Sequence, residues 1–565
     1  MNARIGDANA AFSVTLVDQW IECGLRAAFV APGSRSTPLA VALAERTEIR
    51  LEVFHDERSA GFAALGWGLA TGTPAVVLCT SGTAATHFHA AVAEAGLSCV
   101  PMLVCTANRP PELWGVGAPQ TIDQTDLYAS SVRAFLRPGP PDEFEPSEAR
   151  HIANQAWKSA ASRRNPGPVH IDLSFREPLL GAARSIGRPL PPSDLDTPRV
   201  ASADQISMVA DRIMRAGAAR AGVIVVGRGE SSPAAIAELS ASLGWPVIAD
   251  HRSGLRNGTA LRFHDHLLRH SHPFQNDTER ILRFGEPLSS KALAGWIKAK
   301  AEDPVAVTGF EPWTRTINPE LAVGNRLPEY GAAEALMNEL RLRATEPVQG
   351  WRQRWSDADA HVLERLGPNL SDPTTEPGAA AAAIAAVPPG GALVVASSMP
   401  IRDVEWYGPD RSNITVYCNR GANGIDGVIA TAIGVATAGA PTVCLVGDVA
   451  FLHDQSSLTA LRRRSIDLTI AVIDNDGGGI FSMLPQHDRL DSETYELLFG
   501  TPHGTDIIAL AQAHGISVTS YAGPAHLTPD GVRVAVVATN RETTNTLRKS
   551  FTTSRGGESR GAEGR

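Results

Sequence analysis

Short apolar runs recur along this chain, and between them apolar positions repeat at helical spacing. From Ala11 to Cys23 the spacing predicts a helix, and the run 25–34 (LRAAFVAPGS) then reads as a strand ending in a Pro-Gly turn. Runs at 49–56 (IRLEVFHD), 75–82 (AVVLCTSG), 101–108 (PMLVCTAN) and 167–174 (GPVHIDLS) predict further strands, with Ala-rich helices between several of them. Strands separated by helical patterns predict a parallel, doubly wound sheet.

The alternation returns twice. After a Pro-rich segment at 188–198 (RPLPPSDLDTP), which cannot continue a helix and reads as a linker, strands are predicted in GVIVVGRGE, WPVIADHRSG, ILRFGEP and DPVAVTGF. A Pro-containing connection at 366–378 then precedes an Ala-rich helix and strands in GALVVASS, ITVYCNRG, PTVCLVGD, LTIAVIDN and VRVAVVAT. The expected fold class is α/β, with three consecutive doubly wound parallel-sheet domains at 1–185, 200–345 and 350–552 and a disordered tail at 553–565. No short-period repeat is visible.

Composition narrows the function classes. At 565 residues the chain can bury several cores, and its 43% hydrophobic and 20% charged residues are ordinary for a globular protein. A net charge of −9 gives no reason to expect nucleic-acid binding or a basic membrane patch. The N-terminus lacks the basic and apolar regions of a signal peptide, and no apolar run reaches the length of a membrane span. Six scattered cysteines without a CxxC read as reduced core residues, so a cytoplasmic protein is expected.

The most chemically informative stretch is Gly447 to Phe481. One strand delivers Asp448 and the next delivers Asn475, 27 residues later, followed by Gly477-Gly478-Gly479. A single crossover between parallel strands puts both side chains on one sheet edge, where ligands bind. A carboxylate and an amide oxygen are hard donors suited to Mg²⁺, an ion commonly shared with a diphosphate. A capping Asp and a turn Asn would account for the same two residues structurally. Gly227-Arg228-Gly229 starts like a dinucleotide fingerprint, but Ser232 stands where the third glycine belongs, so a nicotinamide or flavin site is not the favoured reading.

The three-block order and the GD-to-N spacing resemble the thiamin-diphosphate-dependent 2-oxoacid enzymes. The resemblance sharpens at 31–40 (APGSRSTPLA), 55–72 (HDERSAGFAALGWGLATG), 80–88 (TSGTAATHF), 106–124 (TANRPPELWGVGAPQTIDQ), 397–407 (SSMPIRDVEWY), 419–427 (NRGANGIDG), 447–454 (GDVAFLHD) and 476–485 (DGGGIFSMLP). Together these are similar to the 2-succinyl-5-enolpyruvyl-6-hydroxy-3-cyclohexene-1-carboxylate synthase family of menaquinone biosynthesis, over almost the full length.

The resemblance implies a thiamin-diphosphate-enzyme architecture and a C–C bond-forming transferase. In that family 2-oxoglutarate is decarboxylated and the resulting carbanion adds to isochorismate. Thiamin diphosphate and Mg²⁺, which Mn²⁺ can replace, are the implied cofactors. Asp448, Asn475 and the Gly477 carbonyl match the metal ligands. Glu57 matches the catalytic glutamate that engages the pyrimidine ring. Thr80, Ser81, Gly82, Ser398, Met399, Gly424, Ile425, Gly447, Val449, Ala450 and Ile480 fall at cofactor-binding positions, Ile425 being the apolar residue that bends the cofactor. Ser34, Arg35, Arg109, Gln120, Lys291, Ser398, Arg402, Arg420, Ile480 and Phe481 match the substrate-binding set, with Gln120 and Lys291 also candidates for catalysis. Arginines suit substrates that carry several carboxylates.

No family role attaches to His55, His87 or His89. The family's sites form between chains, so a dimer or a dimer of dimers is expected. The alternative is another thiamin-diphosphate 2-oxoacid decarboxylase or carboligase, which would not need the cationic loops. A catalytically silent relative would not need Glu57, Asp448 and Asn475 together.

Overall fold

The computed structural model describes residues 2–143, 145, 148–182, 188–270, 272–300, 305–308 and 326–552. The chain is α/β and builds three large sheets, each of six strands, and every pairing within them is parallel. The first holds β1 (Ala27–Val30), β2 (Arg50–Val53), β3 (Ala75–Cys79), β4 (Met102–Asn108), β5 (Ala134–Leu136) and β6 (Pro168–Ser174). A short hairpin, β7 (Met214–Arg215) with β8 (Ala218–Ala219), precedes the second sheet. That sheet holds β9 (Gly222–Val226), β10 (Val247–Ala249), β11 (Ala260–Leu261), β12 (Arg280–Phe284), β13 (Val305–Thr308) and β14 (Arg326–Pro328). The third holds β15 (Ala392–Val395), β16 (Thr415–Tyr417), β17 (Thr442–Gly447), β18 (Leu468–Asp474), β19 (Ser517–Ser520) and β20 (Val532–Ala538).

The strand orders are informative. The first sheet runs β2-β1-β3-β4-β6-β5 and the third runs β16-β15-β17-β18-β20-β19, which is the same topology. The middle sheet runs β11-β10-β9-β12-β13-β14, the order of dinucleotide-binding folds. The outer domains are therefore a topological repeat that the sequence pattern did not reveal.

The two outer domains pack on each other through the helices Glu57–Thr71 and Val428–Thr437, which contribute to one apolar core. Glycine permits their close approach. A Cβ on Gly66 would lie 2.1 Å from the Thr431 carbonyl oxygen, and one on Gly434 would lie 2.0 Å from that of Ala63.

One expectation is extended and one is corrected. The segment 188–198 carries no helix or strand, but it is strapped to the first domain rather than hanging free. Gln19 exchanges hydrogen bonds with the Leu190 backbone, and Asp196 accepts from the Ser162 hydroxyl and the Arg163 amide. The connection at 366–378 is partly helical, because the helix Trp351–Leu370 runs through Pro368. Proline has no amide to donate to the carbonyl four residues back, and the helix continues past Pro368 for only two residues. The predicted tail, 553–565, lies outside the described residues. No helix among the described residues is long and apolar enough to cross a membrane.

Candidate active site

β17 and β18 pair in register from Thr442 beside Leu468 to Gly447 beside Ile473. The residues just beyond that ladder, Asp448 and Asn475, therefore emerge side by side at the C-terminal edge. This is the crevice position where ligands bind in open parallel sheets. Asp448 is buried, and its carboxylate is fastened on both sides. Oδ1 accepts the Val449 amide at 2.7 Å, and Oδ2 accepts the amides of Asn475 at 3.1 Å and Gly477 at 2.9 Å. Gly477 has φ +137°, and a Cβ there would strike the Gly500 carbonyl oxygen at 2.0 Å, so only glycine serves.

The cation reading can be tested on the donors. Asn475 gives its amide nitrogen to Glu376 Oε1 at 2.8 Å, while its Oδ1 is buried with no partner. An unpartnered buried oxygen beside an anchored carboxylate fits a hard cation. A second grouping, Asp448, Asp474 and His503, also gathers ligand atoms within 4.8 Å. His503 Nε2 stands 3.4 Å from Asp448 Oδ2, but Nδ1 accepts the Thr505 amide at 2.9 Å. That bond leaves the ring hydrogen of a neutral imidazole on Nε2, which has no hydrogen-bond partner and, carrying that hydrogen, is not a ligand. The Asp448–Asn475 set fits better.

A cavity opens beside these residues. Of the positions singled out in the sequence, Ser398, Met399, Ile425, Gly447, Asp448, Val449, Ala450, Asn475, Gly477, Ile480 and Phe481 all line it. Ser398, at φ +72°, is a non-glycine residue in the left-handed region, and it starts the helix Met399–Tyr407. Arg402 on that helix donates back to the Ser398 carbonyl. Burial, and then the charge of Arg420, lower the Arg402 pKa. Gly424 lies in the same loop as Ile425 but does not line the cavity.

The first-domain residues gather at a different edge. Every lining residue of the cavity comes from 376–501, so Glu57, Thr80, Ser81, Gly82, Arg35, Arg109 and Gln120 are not part of it. They sit instead at the C-terminal ends of β1, β2, β3 and β4, the position that corresponds by topology to Asp448 and Asn475. Ser81 Oγ donates to the Gln120 carbonyl at 2.9 Å, and Gln120 Nε2 returns a bond to the Ser81 carbonyl at 3.1 Å. The Gly82 amide donates to Gln124 at 3.1 Å. Arg35, next to Ser34, is buried and donates to the Phe175 carbonyl and to Glu177. Burial, and then the charge of Arg109, lower its pKa.

Glu57 is half-buried and opens its helix, with Asp56 capping the Arg58 amide at 2.9 Å. The same turn is stitched to the third domain, where Ser456 donates to Asp56 at 2.6 Å and Arg58 donates to the His453 carbonyl at 2.8 Å. Lys291, exposed, opens the helix Lys291–Ala299. The loop before it is held by Glu405, which accepts from the Ser289 amide at 2.8 Å and the Ser290 amide at 3.1 Å. Burial works against the charge of Glu405, yet His264 and the Ser289 donors hold its pKa down at about 2. The helix carrying Arg402 is thereby locked to the loop carrying Lys291.

Sequence reasoning missed several residues. Glu376 and Asp403 line the cavity, and Arg548 binds both. Glu94 accepts the amides of Gly421 and Ala422 at 2.7 and 2.6 Å, fixing the loop after Arg420. A lone acid in an Ala-rich helix was the only visible trace of Glu376. The histidines considered earlier stand apart: His55 and His87 are exposed, and His89 rests edge-on against Tyr128. In the middle domain, the Glu230 and Ser231 amides after Gly227-Arg228-Gly229 donate to Glu329 at 2.9 and 3.0 Å. The donors that a phosphate would use in a dinucleotide site are thus occupied by the chain's own carboxylate.

Comparison with known proteins agrees with this layout. Residues 12–127 match the N-terminal thiamine pyrophosphate binding domain of thiamine pyrophosphate enzymes, 196–360 the middle domain, and 406–546 the C-terminal thiamine pyrophosphate binding domain. A 2-succinyl-5-enolpyruvyl-6-hydroxy-3-cyclohexene-1-carboxylate synthase of Rubrobacter xylanophilus is 39% identical, covering 92% of this chain and 91% of the relative. Synthases of the same name from Myxococcus xanthus and Thermobifida fusca are 37% and 36% identical. The first covers 90% of this chain and 89% of the relative, the second 96% and 98%. With its repeated outer domains, its anchored Asp448–Asn475 pair and this likeness across nearly its whole length, the chain belongs to the thiamin-diphosphate-dependent 2-succinyl-5-enolpyruvyl-6-hydroxy-3-cyclohexene-1-carboxylate synthase family.

Proposed function

We propose that the protein removes CO₂ from 2-oxoglutarate and joins the remaining four-carbon unit to isochorismate, forming the product for which its relatives are named, in the cytoplasm as a step of menaquinone biosynthesis. Thiamin diphosphate, when bound, supplies the carbon that accepts the 2-oxo group and holds the electron pair left as CO₂ departs. Asp448, Asn475 Oδ1 and the Gly477 carbonyl would hold Mg²⁺, or Mn²⁺ in its place, against the diphosphate. Ser398, Met399, Val449, Ala450 and Ile425 supply the walls of its seat. Glu57 holds a proton against the pyrimidine ring.

The substrate assignment is supported by the cationic set Arg35, Arg109, Arg402 and Arg420. Burial, and after it the neighbouring arginine, lowers the pKa of Arg35 and of Arg402. These substrates are polycarboxylates that present planar oxygens to a guanidinium fork. Ser34, Gln120 and Lys291 complete the polar set, and Ile480 with Phe481 keeps water from the reacting atoms. The Glu57 edge and the Asp448 cavity are separate within one chain. This supports a dimer or a dimer of dimers in which the first domain of one chain faces the third domain of another.

The test is turnover with 2-oxoglutarate and isochorismate, with thiamin diphosphate and Mg²⁺ omitted and restored. Product formation only with both substrates and both cofactors is expected. Turnover of a different 2-oxoacid, with these two left unchanged, would sink the assignment.

A further inference from the structure

The two ends of the Asn475 amide are nearly the same size, so packing alone does not decide which end faces the cavity. The hydrogen bonds do. Nδ2 donates to Glu376 Oε1 at 2.8 Å, and Oδ1 is left buried without a partner. Glu376 opens the Ala-rich helix Glu376–Ala386 and is 3% exposed. Its other oxygen, Oε2, accepts from Arg548 Nη2 at 2.7 Å, and the same nitrogen donates to Asp403 Oδ2 at 2.6 Å. Arg548 lies on Arg541–Thr552, the last helix of the described chain.

We propose that Glu376, braced by Arg548 of this helix, is a positioning residue that locks the Asn475 amide with its oxygen toward the cation. The inference rests on reading Asn475 as a cation ligand. A carboxylate has only acceptors, so Asn475 can meet it only through its NH₂ group. Arg548 holds the other carboxylate oxygen, so Glu376 is fixed with Oε1 toward Asn475. Partners behind a metal ligand orient it in this way, and their loss typically weakens metal affinity by about 10- to 100-fold.

Substituting glutamine gives a prediction that general damage does not. Arg548 offers only donors, so it draws the oxygen of a Gln at 376 and turns the Gln nitrogen toward Asn475. Asn475 then answers with its own oxygen, which is withdrawn from the cation. Exchanging the pair, with Glu376→Gln and Asn475→Asp together, removes the need for orientation, because either aspartate oxygen can serve and the net charge is unchanged.

The experiment is Mn²⁺ titration of the full-length protein followed by electron paramagnetic resonance, with thiamin diphosphate present. Glu376→Gln is expected to raise the Mn²⁺ Kd about 10- to 100-fold, and the exchanged pair to recover the loss. Glu376→Ala, which leaves Arg548 paired with Asp403, must weaken binding as well and stands in if Glu376→Gln does not fold. Asn475→Ala is the reference. If it leaves the Kd unchanged, Asn475 is no ligand and the cation reading itself falls. If Asn475→Ala weakens binding while the Glu376 variants bind like wild type, or if the exchanged pair stays weak, the positioning role is overturned.

Discussion

Asp448 Oδ2 accepts the backbone N–H of Gly477 at 2.9 Å, so the carboxylate that ends one strand is fastened to the loop that follows its neighbour. One side chain thus shapes the glycine loop and offers charge to a cation. Asp448→Ala is expected to weaken thiamin diphosphate binding in the presence of Mg²⁺ by at least about 100-fold, as read from quenching of tryptophan fluorescence. Asp448→Asn keeps an acceptor for the amides but loses the charge, and should fall between alanine and wild type.

Glu57 stands away from that cavity within one chain, so its removal should spare the cation. Glu57→Gln is expected to lower kcat by about 10²- to 10⁴-fold while changing Mg²⁺ affinity little. Steady-state turnover beside a metal titration checks this. An unchanged kcat would remove Glu57 from its assigned role.

Arg402→Met and Arg420→Met should act on substrate affinity before they act on chemistry. A hydrogen bond to a charged group is worth about 1.5–3 kcal/mol, which corresponds to roughly 10- to 150-fold in KM for the carboxylate substrate. Lysine at either position restores charge without the planar fork and should recover only part of the loss. KM and kcat measured separately for the two substrates distinguish these outcomes.

The crossing at Gly66 and Gly434 leaves no room for a side chain. Gly434→Ala places a carbon 2.0 Å from the Ala63 carbonyl oxygen and must push the two helices apart. Overpacking of this kind costs about 1–3 kcal/mol, so the calorimetric midpoint should fall by several degrees. A midpoint equal to wild type would mean that the helices are free to separate.

Most of this architecture was legible because buried parallel strands read as continuous apolar runs. β4 and β18 are buried almost end to end, and their runs announce themselves. β5 and β19 did not, since they are edge strands of only three and four residues, partly exposed along their length. The site divided in the same way. Asp448 and Asn475 follow strands and were visible, whereas the Glu376–Arg548 bond joins residues 172 apart in sequence and has no local signature. In 188–198 the proline content reports on helix and not on whether the segment is tied down, as it is through Gln19 and Asp196.

Glu329 gives a pH prediction. It is 1% exposed, and burial raises its pKa from the usual 4.5 to about 7. An acid that binds its proton more tightly when folded costs stability as pH rises from about 4.5 through 7, and costs nothing below that window. A difference of that size corresponds to about 3 kcal/mol at most. Glu329→Gln keeps an acceptor for the Glu230 and Ser231 amides without the charge. Its thermal midpoint should match wild type near pH 4.5 and exceed it at pH 8. A gap that narrows with rising pH would contradict the assignment.

The same carboxylate has a consequence for the first loop of the middle domain. A fold with the strand order of dinucleotide carriers ordinarily completes its first loop with a metabolite. Here the chain completes that loop with a side chain from the end of the same sheet. The amides of that loop are therefore already satisfied in the folded chain, and a dinucleotide phosphate could reach them only by displacing Glu329.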